Sequence, residues 1–510
     1  MITPRLLTPD WLALGVYFVL TLVVGAWAAR RHTGSDDLFL AGRSLGPLAV
    51  GFSLFASNVS SDTIIGLPGA AYATGISAAN YEWMASLVLL VSLVAVYPVL
   101  ARARVSTMPE LMERRFDPRM RRYLSAVTLF LSVVLDTAGT LYAGALVLST
   151  FVPGLQLQQA TLGLALFTAL YTDVLQTVVL LAGSAALALI VFARFDYSWA
   201  EVLRCVPDEH LHLIRPLDDP GVPWLGLLTG IPVACLYYWN LSQHIVQRVL
   251  GANGLESAAR GALIAGALKL LPLFPMTLPG ALAIPLLPRL EQPDKVWPTL
   301  VASFVPPGLA GLILAGLLAA LMSSCSATLN SSATLLAADF VRPALPRMSS
   351  RRLAWFGRAA TLLIAAGAGW WAPMIRHFPG LWAYVQEIIA YALSPMLAVA
   401  LLGMVCPWFG ANAALRTLAS AHLASAALLG AKLSGWVHLH YSVVGGVVFA
   451  NTLLLAGAWM LVTRAADRPA PASPALEVVR RDNLPRLPLD VRLGALAVLL
   501  GVLGLLLAFG

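Results

Sequence analysis

Ser57-Asn58-Val59-Ser60-Ser61-Asp62-Thr63 decides how this chain folds. The stretch sits inside an apolar segment that runs from about Leu45 to Ala71. Six of its seven residues are polar and one is an acid. An unsatisfied polar group in hydrocarbon costs several kcal/mol. A membrane helix with such a block in its middle is predicted to unwind there, turning freed carbonyls and hydroxyls toward a ligand at membrane depth.

The composition supports a membrane setting. The 510 residues are 59% hydrophobic and only 11% charged, against ~25% charged in a soluble domain. Apolar stretches of about 20 residues recur, the length that crosses ~30 Å of hydrocarbon. The expected class is an all-α polytopic membrane protein, without the short alternating strands of an outer-membrane barrel. The net charge of +8 does not argue for nucleic acid, because the arginines collect in particular loops. The cysteines Cys205, Cys235, Cys325 and Cys406 are scattered and have no disulfide or metal spacing. No phosphate loop, HExxH or GxSxG pattern is present, so the reading is not an enzyme.

Candidate spans are 11–29, 45–71, 80–101, 123–151, 159–193, 223–246, 260–287, 307–338, 355–374, 382–404, 410–430, 440–463 and 491–508. Stretch 102–122 holds seven arginines against three acids, and 339–358 holds Arg342, Arg347, Arg351, Arg352 and Arg358 against Asp339. Both are expected on the cytoplasmic side. The acid-rich 194–222 reads as external. The run Trp11–Ala29 ends in Arg30-Arg31, which fits a retained first helix with an external N-terminus in a cell (inner) membrane. Segment 159–193 is too long for one span and short for two. With both arginine-rich loops inside, it must cross twice or not at all. The predicted organisation is a transporter core over 1–463, a Pro-rich cytoplasmic linker over 464–490 and a terminal helix over 491–510.

A second polar block, Ser323 through Ser332, lies in span 307–338. Ala320, Ser323 and Ser324 stand at i, i+3 and i+4 and share a helix face. One carbonyl and two hydroxyls there, with carbonyls of Ala56 and Val59 freed at the break near Asn58, make five oxygens for a hard monovalent cation such as Na⁺. The competing reading is simple close packing of Ser-rich helices.

Intramembrane charges are Asp62, Glu82, Asp136, Asp173, Lys269 and Glu387, a costly and usually functional class. Lys269 calls for an acidic partner, Glu82 or Asp62. Asp136 and Glu387 read as members of structural ion pairs. Tyr237-Tyr238-Trp239-Asn240, with Gln243, His244, Gln247 and Arg248, sets aromatic faces beside amides, which suits a sugar. Tyr81-Glu82-Trp83 and Gln386-Glu387 offer similar chemistry. An interfacial aromatic belt is the rival reading, strongest for Trp83.

Leu38-Phe39-Leu40-Ala41-Gly42-Arg43 and Ser53-Leu54-Phe55-Ala56-Ser57-Asn58-Val59-Ser60 resemble the start of the sodium:solute symporter family, especially its sodium/glucose cotransporter branch. The motifs Tyr81-Glu82-Trp83, Thr172-Asp173-Val174-Leu175-Gln176, Tyr237-Tyr238-Trp239, Gln243 through Arg248, Lys269, Ser323-Ser324, Asn330-Ser331 and Tyr384-Val385-Gln386-Glu387 follow in order. The resemblance spans roughly residues 10–465.

It implies a leucine-transporter-type inverted-repeat fold of about fourteen helices, with repeats near 45–246 and 260–430, and Na⁺-driven uptake by alternating access. By position it implies a sodium site at Ala56, Val59, Ala320, Ser323 and Ser324, and an ion path at Asp173. It implies a sugar site at Asn58, Thr63, Tyr81, Glu82, Tyr238, Trp239, Lys269 and Gln386, with Tyr238 as the inner gate.

Two departures stand out. Sugar-binding amide positions of a bacterial galactose transporter in the family fall on Cys235 and Thr63, so the sugar differs or is bound differently. About a dozen residues of a Gly-Gly turn are missing between Tyr171 and Thr172, which accounts for the odd length of 159–193. A neutral sugar tolerates a paired Lys–Glu, so other solutes (an amino acid, a vitamin, a carboxylate) and a transport-impaired sodium or sugar sensor remain the alternatives.

Overall fold

The computed structural model describes residues 6–29, 44–103, 105, 107–152, 154–168, 176–464, 467 and 487–510. Asp173, the Leu38–Arg43 motif, the Tyr171–Thr172 junction and most of the 464–490 linker lie outside them. Among the described residues the fold is helical, with two isolated β-bridges and no strand. Seven helices are long and apolar enough to cross a membrane, or nine if two bent pairs each count as one.

The polar block breaks the helix as expected. Helix α1 spans Thr8–Ala29. Helix α2 (Pro47–Asn58) ends in Val59 and Ser60, both extended, before α3 (Ser61–Thr74) begins. The two halves meet at 57°. Asn80–Ala95 forms α4. The arginine-rich stretch, read as a loop, folds into α5 (Met108–Arg115), capped by Thr107. One long span follows: α6 (Pro118–Leu131), a π turn at Ser132–Thr137, and α7 (Ala138–Phe151).

Segment 159–193 resolves into two helices, α8 (Leu157–Thr168) and α9 (Gln176–Phe192). At 1.5 Å per residue their described parts are about 18 and 25 Å long. α8 packs on α7, while α9 packs on a different helix, α13 below.

Helices α10 (Gly230–Leu241) and α11 (Gln243–Leu250) meet at an extended Ser242. α12 (Gly254–Leu268) stops at Lys269 and helix resumes as a π turn at Leu273–Thr277, both within one candidate span, Gly254–Leu282. α13 (Leu309–Leu336) carries the second polar block without any break. That block therefore displays its hydroxyls from an intact helix, unlike the first. The remainder comprises α14 (Ser350–Trp371), α15 (Leu381–Ile388), a π turn at Ile389–Leu393, α16 (Ser394–Val405), α17 (Ala411–Leu433), α18 (Tyr441–Thr463) and α19 (Leu489–Phe509).

Small residues let the helices close in, as is usual where lipid offers no hydrophobic drive between them. α2 crosses α12 at Gly51 and Gly261, where a Cβ on Gly261 would sit 2.5 Å from a Val50 methyl. Buried Asp10 in α1 accepts from the backbone N–H groups of Gly308 (2.7 Å) and Gly311 (2.9 Å), capping α13 from a neighbouring helix. Arg115 does the reverse at a C-terminus. Its guanidinium donates to the carbonyls of Gly403, Cys406 and Phe409 and ties α5 to the end of α16.

At the opposite end of the bundle, Asp294 clamps the start of α15. Its Oδ2 accepts from Leu381 N at 2.8 Å, while Oδ1 is buried without a partner. Gly69 of α3 and Gly380 crowd that oxygen, and a Cβ on either would lie 2.8 or 3.2 Å from it. Burial pushes the Asp294 carboxyl up to about 7, against a smaller downward pull from the Leu381 N–H. The folded chain therefore holds this proton where the unfolded chain has lost it, so Asp294 should make stability fall as pH rises from about 4 to about 7. Asp294→Asn should abolish that contribution, a difference of at most roughly 4 kcal/mol at pH 8. Thermal denaturation of wild type and variant in detergent between pH 5 and 8 checks this. Parallel pH profiles would contradict it.

Candidate functional site

The helix break forms one wall of a central cavity of about 710 Å³. No backbone N–H among the described residues is bonded to Ala56 O or Val59 O. Both residues line the cavity, as do Ala320 and Ser324 of α13 on the facing side. Four of the five expected cation ligands thus border one space. The fifth, Ser323, falls in the same helix, but its side chain lies outside the described residues. The Ala320 carbonyl belongs to an intact helix, so only its second lone pair is free for an ion. Ala56 and Val59 offer whole carbonyls. This is a neutral, all-oxygen donor set of the kind a hard monovalent cation takes.

The same cavity gathers the expected solute residues. Asn58, Thr63, Tyr81, Glu82, Tyr238, Trp239, Lys269 and Gln386 all line it. The polar break holds itself together locally, with Thr63 Oγ1 donating to Asn58 O at 3.3 Å. Asn58 hydrogen bonds to the Tyr238 side chain, and its own Oδ1 is buried without a partner.

Glu82, not Asp62, partners Lys269. Nζ donates to Glu82 Oε2, and the two side chains are 1% and 6% exposed. The ammonium also lies 5.9 Å from the Phe55 ring centroid and 5.7 Å from that of Trp239, within cation–π range. Ending α12 at Lys269 is what lets this side chain reach α4.

Tyr81 and Trp382 meet edge to face at 5.6 Å and close one end of the cavity, both buried. At the other end the lining reaches Met108, Gln243 and the exposed Ser331 and Arg248. Gln243 accepts from Met108 N at 3.0 Å, and Arg248 donates to Ser57 at 3.3 Å. The open end is therefore the end that carries the arginine-rich stretch 102–122.

Of the two acids read as ion-paired, one departs from that reading. Glu387 has its ion pair, with Lys432 at 2.5 Å. Asp136 does not: it lines the cavity, and no basic side chain is bonded to its carboxylate among the described residues. Sequence reasoning also missed Trp382. Its signal was the i, i+4 spacing to Gln386, which places both on one face of α15.

The sodium:solute symporter family profile matches residues 38–420. The chain belongs to that family. It is a Na⁺-coupled solute symporter and not an enzyme. A sodium/glucose cotransporter of Vibrio parahaemolyticus is 31% identical over 437 residues, covering 78% of this chain and 80% of the relative. Sodium/glucose cotransporter 4 of Danio rerio is 34% identical, covering 75% and 66%. Sodium/myo-inositol cotransporter 2 of Oryctolagus cuniculus is also 34% identical, covering 79% and 67%. The symporter thus spans about two thirds of the length of these vertebrate relatives. Its fold matches that of a substrate-bound Na⁺-coupled sialic acid symporter, with a TM-score of 0.72, 21% identity, and 91% and 99% of the two chains covered. It also matches Mhp1, a nucleobase-cation-symport-1 family transporter, at a TM-score of 0.52 and 16% identity over 86% and 98%.

Removing half of the buried pair strands a charge. Lys269→Ala should destabilise the symporter by about 3–5 kcal/mol, because Glu82 is left buried and uncompensated. Combining it with Glu82→Ala should recover part of the loss. A double-mutant cycle on thermal stability reads this directly, and additive losses would contradict the pairing.

Proposed function

We propose that this symporter couples Na⁺ entry to uptake of a hexose-like sugar by alternating access. One observation carries the reading. Ala56 and Val59, whose carbonyls have no backbone donor among the described residues, line with Ser324 the same cavity that holds the aromatic and amide side chains. Na⁺ at Ala56, Val59, Ala320, Ser323 and Ser324 would replace the backbone pairing that α2 and α3 gave up. In doing so it holds Asn58 and Thr63 where a solute meets them.

The sugar lies against Tyr238 and Trp239, with Glu82, Lys269, Asn58 and Gln386 bonding its hydroxyl rim, and Tyr81–Trp382 closed beyond it. Relatives named for glucose and myo-inositol favour a polyhydroxylated solute. Two inverted repeats, near 45–246 and 260–430 within about fourteen spans, would rock around this site. With the arginine-rich loops cytoplasmic and the N-terminus external, the cavity opens to the cytoplasm. Asp173 would lie on the sodium exit path.

A carboxylate solute is the second reading. The Lys269–Glu82 pair weighs against it, because a committed ammonium does not attract an anion. A transport-impaired sensor is a third, motivated by the Tyr171–Thr172 junction.

In proteoliposomes, inward Na⁺ should drive accumulation of a labelled hexose, and choline replacement should abolish it. Accumulation indifferent to Na⁺ would reject sodium coupling. Binding without accumulation would favour the sensor. Ser324→Ala should raise the Na⁺ concentration for half-maximal uptake at least about tenfold, since a bond to a charged partner contributes ~1.5–3 kcal/mol. An unchanged sodium response would remove Ser324 from the site.

A further inference from the structure

We infer that Asp136 makes this symporter selective for a solute that carries a protonated amino group, an aminohexose in place of a neutral hexose. The inference rests on the sugar reading above and narrows it. It begins with a carboxylate that lacks a counter-charge. Asp136 sits in the π turn Ser132–Thr137 and lines the central cavity. Only its backbone carbonyl is engaged, accepting from Thr140 Oγ1 at 2.8 Å. Among the described residues, no cation and no hydrogen-bond donor reaches the carboxylate.

The cavity's cations are committed elsewhere. Lys269 is bound to Glu82 deep in the wall. Arg248 sits at the open mouth against Ser57. Asp62 lines the same space and adds a further acid. Tyr238 connects the acceptors: it hydrogen bonds with Asn58 and feels the charge of Asp136, Glu82 and Asp62. Asn58 itself presents a buried Oδ1 with no donor. Among the described residues, the Asp136 carboxylate and Asn58 Oδ1 are therefore acceptors on this cavity that no donor satisfies.

While the cavity is open, water can solvate this carboxylate. When it closes around a solute, that water leaves, and an isolated buried carboxylate costs several kcal/mol. A neutral sugar offers hydroxyls but no compensating charge. An ammonium on the ring supplies three donors and a full positive charge. It can serve Asp136 and Asn58 together while the other hydroxyls meet Gln386 and Trp239.

The probes are glucose, glucosamine and N-acetylglucosamine, compared by ligand-induced thermal stabilisation in Na⁺ and in choline and by competition against labelled hexose uptake. Glucosamine should bind at least about tenfold more tightly than its uncharged N-acetyl counterpart and than glucose. Raising the pH above the amine's own pKa should erase that preference in the unmutated protein. Asp136→Asn should level the three ligands, and Asp136→Glu should retain the order. Equal binding of amine and neutral sugar, or a preference that survives Asp136→Asn, would overturn the inference. A fall in Na⁺ stoichiometry in Asp136→Asn without loss of amine preference would also overturn it, by assigning the carboxylate to a second ion. Loss of Na⁺ dependence with the amine preference intact would sink sodium coupling but leave Asp136 in its role. Failure of every sugar to bind would sink both.

Discussion

In hydrocarbon a backbone carbonyl without a partner costs several kcal/mol, yet this chain leaves two such groups, on Ala56 and Val59, beside a cavity in the middle of its helices. Everything around them is arranged to make that tolerable. Thr63 takes up the Asn58 carbonyl, and α3 restarts at once, at an angle of 57°. Ala56 and Val59 line one cavity with Ser324, which sits on an unbroken helix. An ion that is bound by such carbonyls is bound by the break itself. With sodium at the proposed site, the ion and the conformation of α2 and α3 would be two sides of one equilibrium, which is how a coupling ion biases an alternating-access cycle.

The surrounding charges obey the same restraint. Lys269 and Glu82 are almost fully buried and satisfy one another. A pair of this kind contributes little net stability, and losing either member is costly. Its value lies in fixing how α4 and α12 meet at the solute wall. Glu387 with Lys432, and Arg115 with three carbonyls at the end of α16, settle charge in the same way at other levels of the bundle. Against this background Asp136 stands out, because no basic side chain among the described residues pairs with its carboxylate.

The two polar blocks show how far composition could be read. Both Ser57–Thr63 and Ser323–Ser332 are hydroxyl-rich interruptions of apolar sequence. One breaks its helix and the other does not. The difference is that Val59 and Ser60 adopt extended backbone, whereas the serines of α13 sit in an unbroken helix. Hydropathy registers polarity, not backbone pairing, so the two looked alike. The partner of Lys269 was ambiguous for a similar reason. Glu82 and Asp62 both carry carboxylates, and only the packing that brings Lys269 against Glu82 selects between them. Asp136 was assigned to an ion pair because intramembrane acids usually have one, and nothing local in the sequence marks an absent cation.

The all-helical membrane class, the break at Asn58 and the family were all legible in the chain itself. They depend on hydrophobic period, polar interruption and ordered local motifs, which are properties of neighbours in sequence. Which oxygens share a cavity, which acid holds Lys269, which end of the cavity is open and which carboxylate stands alone were decided only by the tertiary structure. Those facts join residues a hundred or more positions apart, such as Glu82 and Lys269, and contacts of that reach exist only once the helices have packed.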